Sequence, residues 1–408
     1  MKKLIFLFLI AFMCIMTFAL LSCGGDDVTT TADPDLYNVT YELNGGTNNA
    51  NNPATYNKGD IITLNFPTKE DYMFAGWFTD SALTNEIKEI MGREENLTLY
   101  AKWVPYEEVI EFFINDDGEY HIKRFYKNVK TLIIPSSYKG TSISQIEFAD
   151  FNNCKILEEI FISSSITSIL YENGGPYTGC TSLKRIVVEE GNPSYKSVDG
   201  VLYSKDGKKL IWYPSAKTDE TYDIPQGTEV IGKCAFIENP YITNINIPSS
   251  VKEINGIYRC TALKSLKIPD GATKLSGLSS CTALESLEIP DSVTEIESFY
   301  GCSSLKSITL PSNIEFIGEY AFYQTSLESI VIPSGVKSIG NFAFYDCQSL
   351  KSIVIPESVT HMSSVSIYEG CSSSLTVYCE AESKPESWDE NWDQYVDTVV
   401  WGHKESKK

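Results

Sequence analysis

Prolines 225, 248, 269, 290, 311, 333 and 356 fall at intervals of 23, 21, 21, 21, 22 and 23 residues, and each closes the same short pattern. Cys260-Thr-Ala-Leu263-Lys-Ser-Leu266-Lys-Ile268-Pro269 is followed by Cys281-Thr-Ala-Leu284-Glu-Ser-Leu287-Glu-Ile289-Pro290, then by Cys302-Ser-Ser-Leu305-Lys-Ser-Ile308-Thr-Leu310-Pro311. A fixed period of this length marks a solenoid. Within each unit the spacing points Leu263, Leu266 and Ile268 inward from a short strand. Proline ends the strand where its missing N–H does least harm to a ladder. A second apolar pair, such as Val293 and Ile296, returns inward before an aromatic corner. One turn cannot bury its apolar side alone, so neighbouring turns must stack. The predicted fold is mainly β: a solenoid over residues 110–379 with a parallel strand ladder.

The corners Ile317-Gly-Glu-Tyr-Ala-Phe322 and Ile339-Gly-Asn-Phe-Ala-Phe344, together with the repeat itself, resemble the BspA-like family of bacterial surface leucine-rich repeats. Ile254-Asn-Gly-Ile and Leu275-Ser-Gly-Leu lack the Ala-Phe of that pattern, which implies a thinner corner there. Glu119 to Cys154 resembles the family's entry segment, and residues 192–213 its hairpin insertion, with Asp206-Gly207 as the turn. Residues 380–402, carrying Trp388, Trp392 and Trp401, are expected to cap the last open turn, because an exposed ladder edge invites pairing with other chains.

Upstream, residues 37–104 show strand and turn signals: Val39 to Leu43 alternates with period 2, and Asn44-Gly45-Gly46 suits a tight turn. The Leu-Asn-Gly-Gly-Thr turn, Ala75-Gly-Trp77-Phe78 and Leu99-Tyr-Ala-Lys-Trp103 resemble the Listeria–Bacteroides repeat, the B-repeat of internalin-type surface proteins. This implies a small β-grasp-like spacer or adhesive module. Trp77 and Trp103 are read as core rather than as a sugar platform, since so small a module needs its aromatics to build a core.

The chain begins Met1-Lys2-Lys3, followed by an apolar run from Leu4 to Leu21. Such a run can just span a bilayer, but it ends in Leu20-Leu21-Ser22-Cys23-Gly24, which looks like a bacterial lipoprotein cleavage box. The resemblance implies a signal peptide over 1–22, acylation of Cys23, a tether over 23–36, and attachment to the membrane through the lipid. Gly-Gly-Asp-Asp after the cysteine resembles the export tails of bacterial surface lipoproteins, implying an outer-membrane, outward-facing position.

The net charge is −21, a surface that repels phosphate backbones and argues against nucleic acid as a partner. Seven cysteines, at 154, 180, 260, 281, 302, 347 and 371, share one repeat position. Adjacent turns hold their Cβ atoms about 4.8 Å apart and parallel, wider than a disulfide prefers, so they read as a column of buried thiols. No Cys-x-x-Cys pair or nearby histidine suggests a metal. His121, His361 and His403 are far apart, and no nucleophile elbow, phosphate loop or zinc-protease motif occurs. Asp389, Glu390 and Asp393 are read as a solvated cap face. The sequence therefore suggests no enzyme, no metal and no cofactor.

What remains is shape. Between inward residues lies a column that differs from turn to turn without a packing reason: Asn246, Lys267, Glu288, Thr309, Val331 and Val354. It is the candidate contact strip for an extracellular protein or glycan. Beside it Asn244, Ser265, Ser286, Ser307, Ser329 and Ser352 are expected to stack and bond locally. Family resemblance implies adhesion to matrix proteins or other cells. The alternatives are a polysaccharide-processing lipoprotein and a structural spacer without a specific ligand.

Overall fold

Alternating inward side chains force the repeat into short strands, and in the computed structural model those strands stack in register. The model describes residues 35–404 except 117, 119, 127, 128, 171–178, 234, 297, 298 and 364. Strands Thr131–Ile134, Glu159–Ile162 and Arg185–Val188 pair in parallel, as do Thr221–Asp223, Asn244–Asn246 and Ser265–Leu266. The face continues through Ser286–Glu288 with Ser307–Thr309, then through Ser329–Val331, Ser352–Ile355, Thr376–Cys379 and Thr398–Val400. The middle residue of each rung points inward: Ile160, Ile186, Leu266, Leu287 and Ile353 are all at most 5% exposed.

A second parallel ladder forms where the sequence places the second apolar pair, through Val230–Ile231, Glu253–Ile254, Lys274–Leu275 and Glu295–Ile296. The corners that lack Ala-Phe, at Ile257–Tyr258 and Leu278–Ser279, run straight enough to extend a third parallel ladder that starts at Phe236–Ile237, directly after Ala235. This requires glycine before Ile257: a Cβ on Gly256 would lie 2.3 Å from the Lys233 carbonyl oxygen. In the later corners Phe299, Phe322 and Phe344 stack instead, at centroid distances of 5.7 and 5.3 Å.

The hairpin segment is woven into the ladder. Strands Tyr195–Val198, Val201–Ser204 and Lys209–Trp212 form an antiparallel meander whose last member pairs in parallel with Val230–Ile231. Its alternating side chains divide between two apolar cores. Val201, Tyr203 and Leu210 enter the core of the later turns, while Leu202, Ile211 and Trp212 enter that of the earlier ones. The tail adds a final rung at Thr398–Val400 and seats Trp388 and Trp392, each 3% exposed, over the end of the core. Trp388 Nε1 donates to the Val359 carbonyl at 2.9 Å.

The cysteine position shows why small polar groups recur there. The thiols of Cys347 and Cys371 donate to the carbonyls of Phe322 and Phe344, both at 3.0 Å, and Cys180 donates to Phe151 at 3.0 Å. Asn239 occupies the same position one turn before Cys260. It is fully buried, donates to the Pro214 and Lys217 carbonyls, and accepts from the N–H groups of Tyr241 and Ile242. Asn192 is fully buried with the same four-bond pattern. Asn239→Leu keeps the branching and the number of side-chain heavy atoms but strands these backbone groups. It is expected to cost about 2–3 kcal/mol, read by guanidinium unfolding; an unchanged midpoint would show that water replaces the side chain.

The N-terminal module is a five-stranded sheet in the order Thr55–Asn57, Leu36–Glu42, Leu97–Pro105, Tyr72–Phe78, Glu86–Ile87. Trp77 is 2% exposed and meets Tyr41 and Phe74 edge-on. The Trp103 indole donates to the Leu43 carbonyl at 2.8 Å and lies over Gly46, where a Cβ would be 2.4 Å from its ring. Both tryptophans thus pack internally. No loose linker follows: Leu97–Pro105 runs straight into the short 3-10 turn Tyr106–Glu108, whose Tyr106 is already in the solenoid core.

Candidate functional site

The outward residues of the first ladder form a strip that is broken after Arg185–Val188, where the hairpin segment lies alongside, and that is chemically different at its two ends and its centre. Its first rungs carry Ile133, Phe161 and Val187, and the N-terminal module covers Ile133 and Phe161. Phe66 meets Phe161 edge-on at 4.3 Å, the Met73 sulfur accepts from the Ile133 N–H at 3.5 Å, and Asp71 accepts from the Lys139 N–H at 2.9 Å. Arg185 lies 5.9 Å over the Phe161 ring and pairs with Glu159. The open strip therefore starts at Asp223.

From there the six candidate residues follow one another along adjacent rungs. Asn246 is exposed opposite Asp223, donating to its carboxylate at 2.6 Å and accepting from Asn244 at 2.8 Å. Lys267 is exposed just beyond its strand, and Glu288 and Thr309 are exposed and paired in register. Val331, 51% exposed, pairs with the half-buried Val354. The same register carries the strip on to Tyr378 and Val400, which the sequence reading did not include. Its composition thus runs from amide and charge at the centre to apolar at the C-terminal end.

In the neighbouring column Asn244 bonds locally, to Asn246, but its exposed serines do not. Ser265, Ser286, Ser307 and Ser329 are exposed, and among the described residues their hydroxyls make no hydrogen bond. They stand beside the strip as exposed groups able to donate and to accept. One position earlier lies a column that sequence inspection passed over: Lys264, Glu285, Lys306, Glu328 and Lys351, all exposed, alternating in sign on hydrogen-bonded successive turns. Opposite charges on neighbouring rungs keep this border close to neutral, so the strip is not a simple charged patch.

The thiols form no reactive site. All eight described cysteines are free, and all but Cys371 are buried. Burial pushes the Cys260 and Cys379 thiols up to about 12 and Cys302 up to about 11, leaving them protonated at neutral pH. Among the described residues no group of three or more His, Cys, Asp or Glu is placed to hold a metal. None of the described helices is long and apolar enough to cross a membrane. Cys23 and the apolar leader lie outside the described residues.

The repeat geometry has a counterpart among known families. The model of the BspA-type leucine-rich repeat region matches residues 123–198, 216–297 and 276–384, in six copies, more than half of the chain. The chain is a BspA-type leucine-rich repeat protein. The model of the Listeria–Bacteroides repeat domain matches residues 37–102. A leucine-rich repeat protein of Bacteroides ovatus is similar at 20% identity and a TM-score of 0.40, over 72% of this chain and 75% of that one. A leucine-rich cell surface protein of Faecalibacterium prausnitzii is similar at 21% identity and a TM-score of 0.31, over 73% and 94%. A Gly-rich protein of Evansella cellulosilytica, assigned by its name to the membrane, is 32% identical over 124 residues, 29% of this chain. The BspA-type chain spans only 14% of that relative's length. The matched families are repeat and module families, and none of them is enzymatic.

Proposed function

We propose that this BspA-type chain is a lipid-anchored adhesion protein of the bacterial surface, which contacts an extracellular protein or glycan through the open strip from Asn246 to Val354. One observation carries the reading: the side chains of the strip change from rung to rung while the inward side chains, which hold the fold, stay aliphatic. An open ladder face edged with exposed serine hydroxyls and a near-neutral Lys/Glu border suits a broad macromolecular contact better than a small molecule. The lipoprotein-like box at Cys23 supplies the anchor in this proposal.

Binding of the purified chain to an array of matrix proteins and glycans tests the proposal. Lys267→Ser with Glu288→Ser is expected to weaken any bound ligand by about tenfold or more with an unchanged melting temperature, since both side chains are exposed. A chain that binds nothing on such arrays would leave a spacer; binding indifferent to the double variant would move the site off the strip. Cys23→Ser is expected to abolish fatty-acid labelling and to release the chain from the membrane fraction.

A further inference from the structure

A second exposed surface lies on the corner of the coil, away from the strip. Tyr300, Tyr323 and Tyr345 stack face to face on successive turns, with centroids 4.8 and 4.9 Å apart and planes within 16°. Tyr320 and Phe342 form a parallel column at 5.0 Å, and each meets the first column edge-on, at 5.7 and 5.8 Å. Tyr300 is 41% and Tyr320 38% exposed, and Tyr323, Phe342 and Tyr345 are partly so.

Packing does not demand these rings. The adjacent Phe299, Phe322 and Phe344, at most 2% exposed, fill the core beneath the corner. The outer rings instead build an exposed aromatic ridge, of the kind that marks interaction sites on soluble proteins. Because the rings are already locked against one another, little side-chain freedom is lost when a partner docks on them.

The charge around the ridge has one sign. Segments 299–303, 318–325, 341–348 and 365–371 contain no Lys or Arg but carry Glu319, Asp346 and Glu369. Glu319 is exposed, and Asp346 accepts from the side-chain amides of Gln324 and Gln348, at 3.1 and 2.8 Å.

We infer that this tyrosine ridge is a docking surface for an extended, arginine-rich protein segment. The exposed surface of the stacked rings, greatest at Tyr300 and Tyr320, lets the aliphatic stems of arginine lie against it. The guanidinium groups then reach the tyrosine hydroxyls and the flanking carboxylates. The inference deepens the adhesion reading by adding a second surface with its own class of partner.

The test titrates the full purified chain with a fluorescein-labelled peptide of alternating arginine and serine, at low and at physiological ionic strength, beside a glutamate–serine peptide. The arginine peptide is expected to bind, with anisotropy lost progressively as salt rises. The variant Tyr300→Ser/Tyr323→Ser/Tyr345→Ser is expected to bind at least about tenfold more weakly. Glu319→Gln/Asp346→Asn/Glu369→Gln is expected to weaken binding to a similar degree, and Lys267→Ser/Glu288→Ser to leave it unchanged. Should the triple tyrosine variant lose its native circular dichroism, the single variants Tyr300→Ser and Tyr320→Ser replace it, each expected to weaken binding about threefold. Bound peptide is also expected to protect Tyr300 and Tyr320 from iodination. Equal affinity for the tyrosine variants would show attraction by net charge alone and overturn the inference, as would a glutamate peptide that binds equally well. If array ligands bind through the strip while the arginine peptide fails, the ridge assignment falls and the adhesion reading stands.

Discussion

Between about pH 9 and 11 the solenoid is expected to lose roughly 4 kcal/mol of stability per pH unit from three of its buried thiols. Cys260, Cys302 and Cys379 are held protonated by burial, up to about 12, 11 and 12. In the unfolded chain the same groups ionise near the ordinary thiol value, about 8.5. A folded-state value raised above the unfolded one gives stability that is complete at neutral pH and drains away as the pH rises toward the folded value. Each thiol contributes about 1.4 kcal/mol per unit in that window. Guanidinium unfolding at pH 9, 10 and 11 measures the slope, and Cys260→Ala with Cys302→Ala and Cys379→Ala isolates the share of the thiols. Parallel slopes in the variant and the parent chain would refute the account. The same burial is expected to keep these thiols unreactive toward disulfide reagents until the coil opens.

Phe322→Ala is expected to cost about 3–5 kcal/mol. The ring is 1% exposed and sits between Phe299 and Phe344 in the stack, so its loss thins the contact to the turn before and the turn after. In a stacked-repeat protein stability is close to a sum of turn and interface terms. The damage is therefore expected to divide the molecule. Amides from Ile317 to Phe344 should exchange with solvent faster, while those of the hairpin meander at Val201–Ser204 keep their protection. Uniform loss of protection along the whole chain would show one cooperative unit instead.

Local signals carried much of this architecture. Leu263, Leu266 and Ile268 revealed their inward direction through spacing alone, because parallel stacking copies one turn onto the next. Trp77 read as core because the module has little else to bury. What escaped were pairings between distant segments. Asp206-Gly207 announces a turn, but nothing near it announces that Lys209–Trp212 will pair with Val230–Ile231. The missing Ala-Phe at Ile254-Asn-Gly-Ile and Leu275-Ser-Gly-Leu implies a thinner corner, but does not reveal that Gly256 and Gly277 allow a close backbone approach there. Asn239-Pro-Tyr-Ile242 aligns with Cys260-Thr-Ala-Leu263, a signal present in the sequence but hidden by the change of residue type. At the surface, the strip could be traced by counting, but its covered beginning could not. That cover depends on Phe66 and Met73 of a different module meeting Phe161 and Ile133. The tyrosine ridge was equally countable, with Tyr300 and Tyr345 each two residues before a cysteine, yet aromatic corners look like packing until exposure is known.

The rungs of the coil lie across its long axis, and this governs how the molecule answers a pull. Tension applied between its two ends falls on hydrogen bonds aligned with the load, so they open one after another instead of shearing together. The far turns peel away singly, each releasing a couple of dozen residues of slack, while the hairpin meander that knits the two cores marks a natural stopping point. A cell held against flow by such a tether would be braked gradually, with turns re-forming whenever the strain relaxes.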